Sequence, residues 1–110
     1  TYSNTAKTKV LGVQKETLRN FGAVSEEVVC EMVEGALSLS NSQLGVAISG
    51  IAGPGGGTKE RPVGTVCIAW MREGEEVHST TELFSGNRNE VRYATVECAL
   101  INAIRLVKEN

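Results

Sequence analysis

The first forty residues place apolar side chains at helical spacing. We predict a short helix that Asn4 caps and that ends near residue 12, and a second helix over residues 15–20. Ser25 is typical of the cap of a third helix, because two glutamates follow it in the first turn, where the helix dipole favours anions. The apolar positions that predict the buried face of this third helix are Val28, Val29, Met32, Val33, Ala36 and Leu37.

The pattern beyond the third helix is that of strands. Residues 44–48 form an unbroken apolar run, which favours a strand buried on both faces. Strands over 63–71 and 76–84 flank a polar turn at 72–75 and predict a hairpin, so at least part of the sheet is antiparallel. Residues 89–108 return to helical spacing, with a predicted packing stripe of Val91, Val96, Leu100, Ala103, Ile104 and Val107. Helices on both sides of strands indicate one α/β layered domain.

The charged residues exclude several kinds of active site. The 110 residues contain 11 Lys and Arg, 13 acids and one His, for a net charge of −2, and every acid is a glutamate. Without aspartate, and with His78 alone, the chain cannot supply a Ser-His-Asp triad, an EF-hand or a four-ligand zinc site. The slightly acidic balance argues against nucleic-acid binding, and the apolar runs are too short to span a bilayer. Three cysteines without CxxC spacing predict free, buried thiols in a reducing compartment, the cytoplasm.

A glycine-rich segment is the most informative part of the sequence. The strand predicted at 44–48 leads into Ser49-Gly-Ile-Ala-Gly-Pro-Gly-Gly-Gly57. Such a segment puts backbone N–H groups at the carboxyl edge of a sheet, where open α/β folds bind ligands, and successive N–H groups can hold an anion. The segment lacks the GK[ST] ending of a P-loop, and a strand rather than a helix follows it. A plain flexible connection is the alternative, although the length of the glycine run favours a ligand loop.

Two further clusters contain cations near predicted helix starts. Tyr2 and Lys7 flank the start of the first helix, where the positive end of the dipole lowers the pKa of a lysine and suits it to proton transfer. A solvated lysine is the alternative. Arg88 stands at the start of the last helix and can clamp a phosphate or carboxylate with two N–H groups. A surface arginine paired with Glu90 or with solvent is the alternative there.

Six segments of the sequence carry a resemblance to a known family, namely Tyr2-Ser-Asn-Thr-Ala-Lys7, Leu11-Gly-Val, Gly22-Ala-Val-Ser-Glu26, Ser49 to Gly57, Pro62-Val-Gly-Thr-Val66 and Phe84-Ser-Gly-Asn-Arg88. In their order and spacing they resemble the CinA C-terminal domain family, which includes the PncC-type nicotinamide mononucleotide deamidases. The resemblance covers essentially the whole chain. It implies an α/β fold, a three-layer α/β/α sandwich with a mixed sheet. It also implies an amidohydrolase that converts nicotinamide mononucleotide to nicotinic acid mononucleotide and ammonia, in pyridine nucleotide salvage, with no cofactor and no metal.

The resemblance also implies roles for individual residues. Tyr2 and Lys7 match the family's YSNxxK motif, and by this match Lys7, helped by Tyr2, moves a proton between the nucleophile and the leaving ammonia. Ser49 matches the [TS]GIAGP motif and is expected to hold the amide or the developing oxyanion. The residues expected to bind substrate, with the ribose phosphate at the glycines and the arginine, are Asn4, Gly50, Gly53, Gly55, Gly56, Gly57 and Arg88.

The sequence departs from the family in one respect. The family's nucleophile is the serine of a Ser-Cys-Thr-Gly-Gly motif, which is nowhere in these 110 residues. We therefore expect residues 1–110 to be a partial CinA C-terminal-like domain, without the N-terminal strand and the nucleophile helix. The alternatives are a catalytically inactive nucleotide-binding or interaction module, or a proteolytic fragment of the enzyme. The expected partners are nicotinamide mononucleotide and further copies of the chain in a homo-oligomer, with no nucleic acid and no membrane.

Overall fold

Three helices, three strands and a long final helix follow one another along the chain. The computed structural model describes residues 4–9 and 11–108, so Tyr2 lies outside the described residues. Each predicted element is present, with bounds that differ from the prediction by a few residues. The elements are α1 Asn4–Lys9, α2 Lys15–Phe21, α3 Glu26–Ser40, β1 Leu44–Gly50, β2 Thr65–Arg72, β3 His78–Leu83 and α4 Arg88–Lys108.

The strands form a sheet in the order β1-β2-β3. Both pairs are antiparallel, with Ala47 opposite Ala69 and Ala69 opposite Ser79. The three described strands include no parallel pair of the kind that a mixed sheet requires. The physical reason is that loops join them, whereas a parallel pair needs a crossover connection, usually a helix.

The strand buried on both faces is β2 rather than β1. Every residue of β2 from Thr65 to Trp70 is buried, because β2 has a strand on each side and a helix on each face. Among the described strands β1 pairs with β2 alone, and its Val46 and Ile48 are 39% and 40% exposed. The prediction that residues 44–48 are buried on both faces is therefore wrong.

Helices cover both faces of the sheet and complete three layers. The core under α3 joins Val29, Met32 and Val33 to Ala47 and Ala69 of the strands. The core under α4 gathers Val66, Ile68, Trp70, Val91 and Ala99. The expected α/β/α layering is therefore confirmed.

The two ends of α3 show why the helix occupies these residues. The Ser25 hydroxyl accepts a hydrogen bond from the Val28 amide at 3.3 Å, which satisfies one of the unpaired donors at the helix start and confirms the predicted cap. At the other end Asn41 takes the left-handed conformation with φ of 56°, which closes the helix.

The final helix packs through a different line of residues from the predicted stripe. Val91, Thr95 and Ala99 are its buried positions, and the Ala99 carbonyl accepts a hydrogen bond of 3.0 Å from the Trp70 indole. Small side chains on this line allow the helix to approach the sheet closely. Four members of the predicted stripe are exposed instead, namely Val96, Leu100, Ile104 and Val107.

No helix among the described residues is long and apolar enough to cross a membrane.

All three cysteines are free thiols. Cys67 is buried in the core under α3, and Cys30 and Cys98 are half-buried. Burial raises the pKa of each thiol, so all three are protonated near neutral pH and pack as small apolar groups.

Candidate active site

A groove of about 960 Å³ runs along β1, between α1 and α3 on one side and the start of α4 on the other. We call it the β1 groove. Four of the residues predicted to act in catalysis or binding line it, namely Lys7, Ser49, Gly50 and Arg88. The fold therefore brings together residues from three distant parts of the sequence.

Lys7 enters the groove from α1 and is 7% exposed. Its carbonyl accepts a hydrogen bond of 3.0 Å from the Val13 amide, which folds the chain back after the helix. Burial lowers the pKa of the Lys7 ammonium, because desolvation penalises the charged form. The sequence predicted this direction from the helix dipole, whereas the cause that the structure shows is burial.

Two residues of α3 hold the segment between α1 and α2 in place. The Glu31 carboxylate accepts hydrogen bonds from the Gln14 amide at 2.8 Å and from the Thr17 hydroxyl at 2.7 Å, at the start of α2. Gly35 leaves room for the Leu11 carbonyl, since a Cβ at this position would lie 1.7 Å from that oxygen. Sequence reasoning missed both residues. A glycine inside a helix costs stability relative to alanine, and that cost was the available signal for Gly35.

Ser49 and Gly50 end β1 at the groove. In the antiparallel register Ser49 lies opposite Cys67 and Gly50 opposite Val66. A Cβ on Gly50 would come within 2.9 Å of a Val66 methyl and 3.1 Å of the Thr65 carbonyl. Because Gly50 has no side chain, β1 can pack closely against β2 at this residue.

Residues 51–64, which we call the glycine loop, are tied down by backbone hydrogen bonds. The Ile51 amide donates to the Thr65 carbonyl at 2.9 Å, and the Gly64 amide donates to the Ile51 carbonyl at 2.7 Å. Gly53 is buried with φ of 87°, a conformation that favours glycine. These contacts close the loop at its base, so it is more than a flexible connection between two strands.

Unlike Gly50, the predicted substrate glycines of the glycine loop lie beyond the lining of the β1 groove. Among the described residues, Ala52 is the member of the glycine loop that lines it, and Gly53, Gly55, Gly56 and Gly57 are outside the lining. Asn4 is exposed and also stands outside the lining.

Arg88, the first residue of α4, contacts the glycine loop directly. Its Nη1 donates a hydrogen bond of 2.9 Å to the Gly53 carbonyl. Glu90, the alternative partner considered for Arg88, accepts from the Asn87 amide at 2.9 Å, and the Asn87 side chain accepts from the Glu90 amide at 2.9 Å. This reciprocal capping box fixes the start of α4. Arg88 therefore reaches both the loop and the groove.

Arg92 is a groove residue that sequence reasoning missed. It follows Arg88 by one helical turn, and the two side chains line the same groove. The i, i+4 spacing of the two arginines was the available signal. Lys7, Arg88 and Arg92 all line the β1 groove, and none of the described lining residues is a carboxylate. This charge pattern suits an anionic ligand.

Known proteins that are similar to this chain identify its family. A solved structure titled competence/damage inducible protein CihA, from Agrobacterium tumefaciens, superposes with a TM-score of 0.93 at 45% identity and covers 96% of this chain. The nicotinamide-nucleotide amidohydrolase PncC of Escherichia coli K12 is 50% identical over 100 residues, which are 91% of this chain. A CinA-like protein of Akkermansia muciniphila is 49% identical over 100 residues, also 91% of this chain.

The chain spans only part of these relatives. It covers 24% of the Akkermansia protein, 61% of the Escherichia protein and 65% of the Agrobacterium chain. The family model described as the CinA C-terminal domain matches residues 1–107. Because this match takes in nearly the whole sequence, the chain belongs to the CinA C-terminal domain family.

Proposed function

We propose that the chain carries the proton-transfer and substrate-binding part of an amidohydrolase that acts on nicotinamide mononucleotide. The observation that carries the proposal is the β1 groove, where Lys7 and Ser49 face one cavity with Arg88 and Arg92 and no described carboxylate. The similarity to PncC, which is named as a nicotinamide-nucleotide amidohydrolase, supports the choice of substrate.

The phosphate end of the substrate belongs at the start of α4 in this proposal. Arg88 and Arg92 lie one turn apart there and can each donate charge-assisted hydrogen bonds to phosphate oxygens. Arg88 already uses one N–H group on the Gly53 carbonyl, which leaves the rest of its guanidinium for the ligand. The same contact keeps the glycine loop beside the phosphate.

The amide end belongs at Lys7 and Ser49. A lysine whose pKa is lowered by burial is more readily neutral, and a neutral amine can accept a proton. We propose that Lys7, with Tyr2, takes the proton of a serine nucleophile as the serine oxygen bonds to the amide carbon. Lys7 then returns the proton as the carbon–nitrogen bond breaks and ammonia leaves, and water hydrolyses the resulting ester to the carboxylate. Ser49 donates a hydrogen bond to the amide oxygen while negative charge develops on it.

The serine nucleophile in this mechanism is that of the family's Ser-Cys-Thr-Gly-Gly motif. No such motif occurs in the 110 residues. The cationic lining of the β1 groove also supports a second candidate function, a nucleotide-binding module that holds the ligand in the β1 groove without turning it over.

Ammonia release and calorimetric binding separate the two functions. The intact mass of the purified chain is measured first, together with that of any copurifying peptide. The chain is then incubated with nicotinamide mononucleotide. The same measurements are made on a protein in which the Ser-Cys-Thr-Gly-Gly serine is present together with this chain. Turnover there supports the amidohydrolase, binding without turnover supports the module, and the absence of both refutes the proposed ligand.

A matched pair of lysine variants tests the proton-transfer role. In a protein that also contains the Ser-Cys-Thr-Gly-Gly serine, Lys7→Met is expected to abolish turnover while retaining most of the binding, since the arginines hold the phosphate. Lys15→Met, at an exposed position in α2, is expected to match the wild type. Equal turnover in Lys7→Met and wild type contradicts the assignment of Lys7.

A further inference from the structure

The glycine loop has a second anchor in addition to Arg88. Arg61 is half-buried, and its guanidinium reaches the turn between α2 and α3. Its Nε donates a hydrogen bond to the Val24 carbonyl, and its Nη2 donates to the Phe21 carbonyl at 3.2 Å. These contacts join residues that are about forty positions apart in the sequence.

The turn that receives Arg61 is rich in carbonyl groups that need donors. Phe21 is the last residue of α2, where the final carbonyls have no partner within the helix and the dipole is negative. The Gly22 carbonyl is taken by the Ser25 hydroxyl at 2.7 Å. Arg61 donates hydrogen bonds to the Phe21 and Val24 carbonyls. Its positive charge therefore lies at the negative C-terminal end of α2, where a cation is stabilised.

Arg61 is also fixed from its own side of the contact. The Thr58 amide donates to the Arg61 carbonyl at 2.9 Å, and the Arg61 amide donates to the Thr58 hydroxyl at 3.0 Å. These two hydrogen bonds close a small turn in the far half of the glycine loop. The position of the Arg61 side chain is therefore linked to the position of this turn.

The α2–α3 turn belongs to the wall of the β1 groove. Ala23 and Val24 line the groove, as do Lys7 and Arg88. Arg88 holds the glycine loop at Gly53, and Arg61 holds it against Val24. The loop is therefore fixed at two points, each connected to a different wall of the groove.

We propose that Arg61 is a positioning residue, which fixes the glycine loop against the α2–α3 turn and so sets the shape of the β1 groove for its anionic ligand. This proposal rests on the proposed function, and the experiment below separates failure of one from failure of the other. The Arg61→Lys substitution keeps the positive charge but replaces the planar guanidinium group by a single ammonium group.

Tryptic cleavage after Lys59 reports how often the loop opens. Lys59 is exposed within the loop, and the following Arg61–Pro62 bond resists trypsin because proline occupies the next position. Arg61→Gln is expected to accelerate this cleavage about tenfold or more, because local opening no longer breaks charge-assisted hydrogen bonds. Arg61→Lys is expected to lie between Arg61→Gln and the wild type. The matched control is Arg72→Gln, which removes an ion pair of 3.5 Å with Glu75 in the hairpin turn and should leave cleavage after Lys59 unchanged.

Ligand binding distinguishes positioning from a general effect on the fold. Calorimetry with nicotinamide mononucleotide, and separately with ribose 5-phosphate, is expected to show about tenfold weaker binding for Arg61→Gln and partial rescue for Arg61→Lys. The melting temperature should remain close to that of Arg72→Gln.

Unchanged cleavage in Arg61→Gln, or faster cleavage with unchanged ligand affinity, overturns the proposal. If the wild type binds ribose 5-phosphate but not nicotinamide mononucleotide, the proposed substrate is wrong, and weaker ribose 5-phosphate binding in Arg61→Gln still supports the role of Arg61. If the wild type binds neither probe, both proposals are overturned.

Discussion

A Cβ added at Gly35 should displace the segment that positions Lys7. In the Gly35→Ala variant the new Cβ would lie 1.7 Å from the Leu11 oxygen and 2.6 Å from the Leu11 carbonyl carbon. Both are backbone atoms, so no side-chain rotation relieves the contact. The Leu11 backbone must therefore move away from α3 by more than about 1 Å to reach an ordinary separation.

Two opposed effects determine the stability of Gly35→Ala. Alanine in a helix interior is favoured over glycine by about 1 kcal/mol. Overpacking costs about 1–3 kcal/mol, and lifting the segment also exposes Leu11 and Val13, which are 7% and 1% exposed, at up to about 1.5–3 kcal/mol for each side chain fully exposed. We expect the unfavourable effects to dominate, with a net loss of about 1–3 kcal/mol in the free energy of unfolding.

Urea denaturation and amine labelling test this prediction together. Gly35→Ala should unfold at lower urea, and its Lys7 should be acylated faster than in the wild type because the displaced helix uncovers it. Lys15 is exposed already and serves as the internal reference for labelling. The control is Gly74→Ala, at a φ of 78° in open space, which should lose about 1 kcal/mol with no change at Lys7. Increased stability together with unchanged Lys7 labelling in Gly35→Ala would refute the packing of Leu11 on Gly35.

Three further predictions concern stability. Trp70→Phe removes the donor to the Ala99 carbonyl, and urea unfolding followed by circular dichroism should show a loss of about 1–3 kcal/mol. Hydrogen bonds, chiefly the one from the Thr81 hydroxyl, lower the pKa of Glu26. They therefore stabilise the folded chain above the ordinary glutamate pKa, and this stabilisation is lost as the pH falls through the lowered pKa of Glu26. Thr81→Val should therefore make the free energy of unfolding fall less steeply as the pH is lowered into the acid range. An unchanged pH dependence contradicts this prediction. At pH values between the lowered pKa of Lys7 and the ordinary lysine pKa, Lys7 binds fewer protons in the folded chain than in the unfolded chain. The free energy of unfolding should therefore rise with pH in this range, and Lys7→Met should remove the rise.

Local signals predicted the helices correctly and also selected the main candidate residues. The Ser25 cap and the apolar face that follows it are short-range features, since the hydroxyl bonds an amide three positions away. Lys7 was selected as a candidate because it lies near the start of a short predicted helix. Arg88 was selected for the same reason, because it lies at the start of α4.

Long-range packing explains what the sequence could not predict. Whether β1 or β2 is buried depends on which strand has two neighbours, and the apolar run in β1 contains no information on that point. The same limit applies to Arg61, whose partner carbonyls at Phe21 and Val24 are chosen by the fold alone. The exposed positions of α4 follow from the line of small residues that contacts the sheet.

The position of β1 at the edge of the described sheet has a consequence for behaviour at high concentration. Leu44–Gly50 contains no charge and no proline, and its Val46 and Ile48 are exposed. A long uncharged edge strand is a template for pairing with an identical strand of another molecule, and natural proteins usually protect such edges with lysine, proline or a bulge. Concentrated solutions of the chain are therefore expected to aggregate through this edge, and an Ile48→Lys substitution should suppress that aggregation.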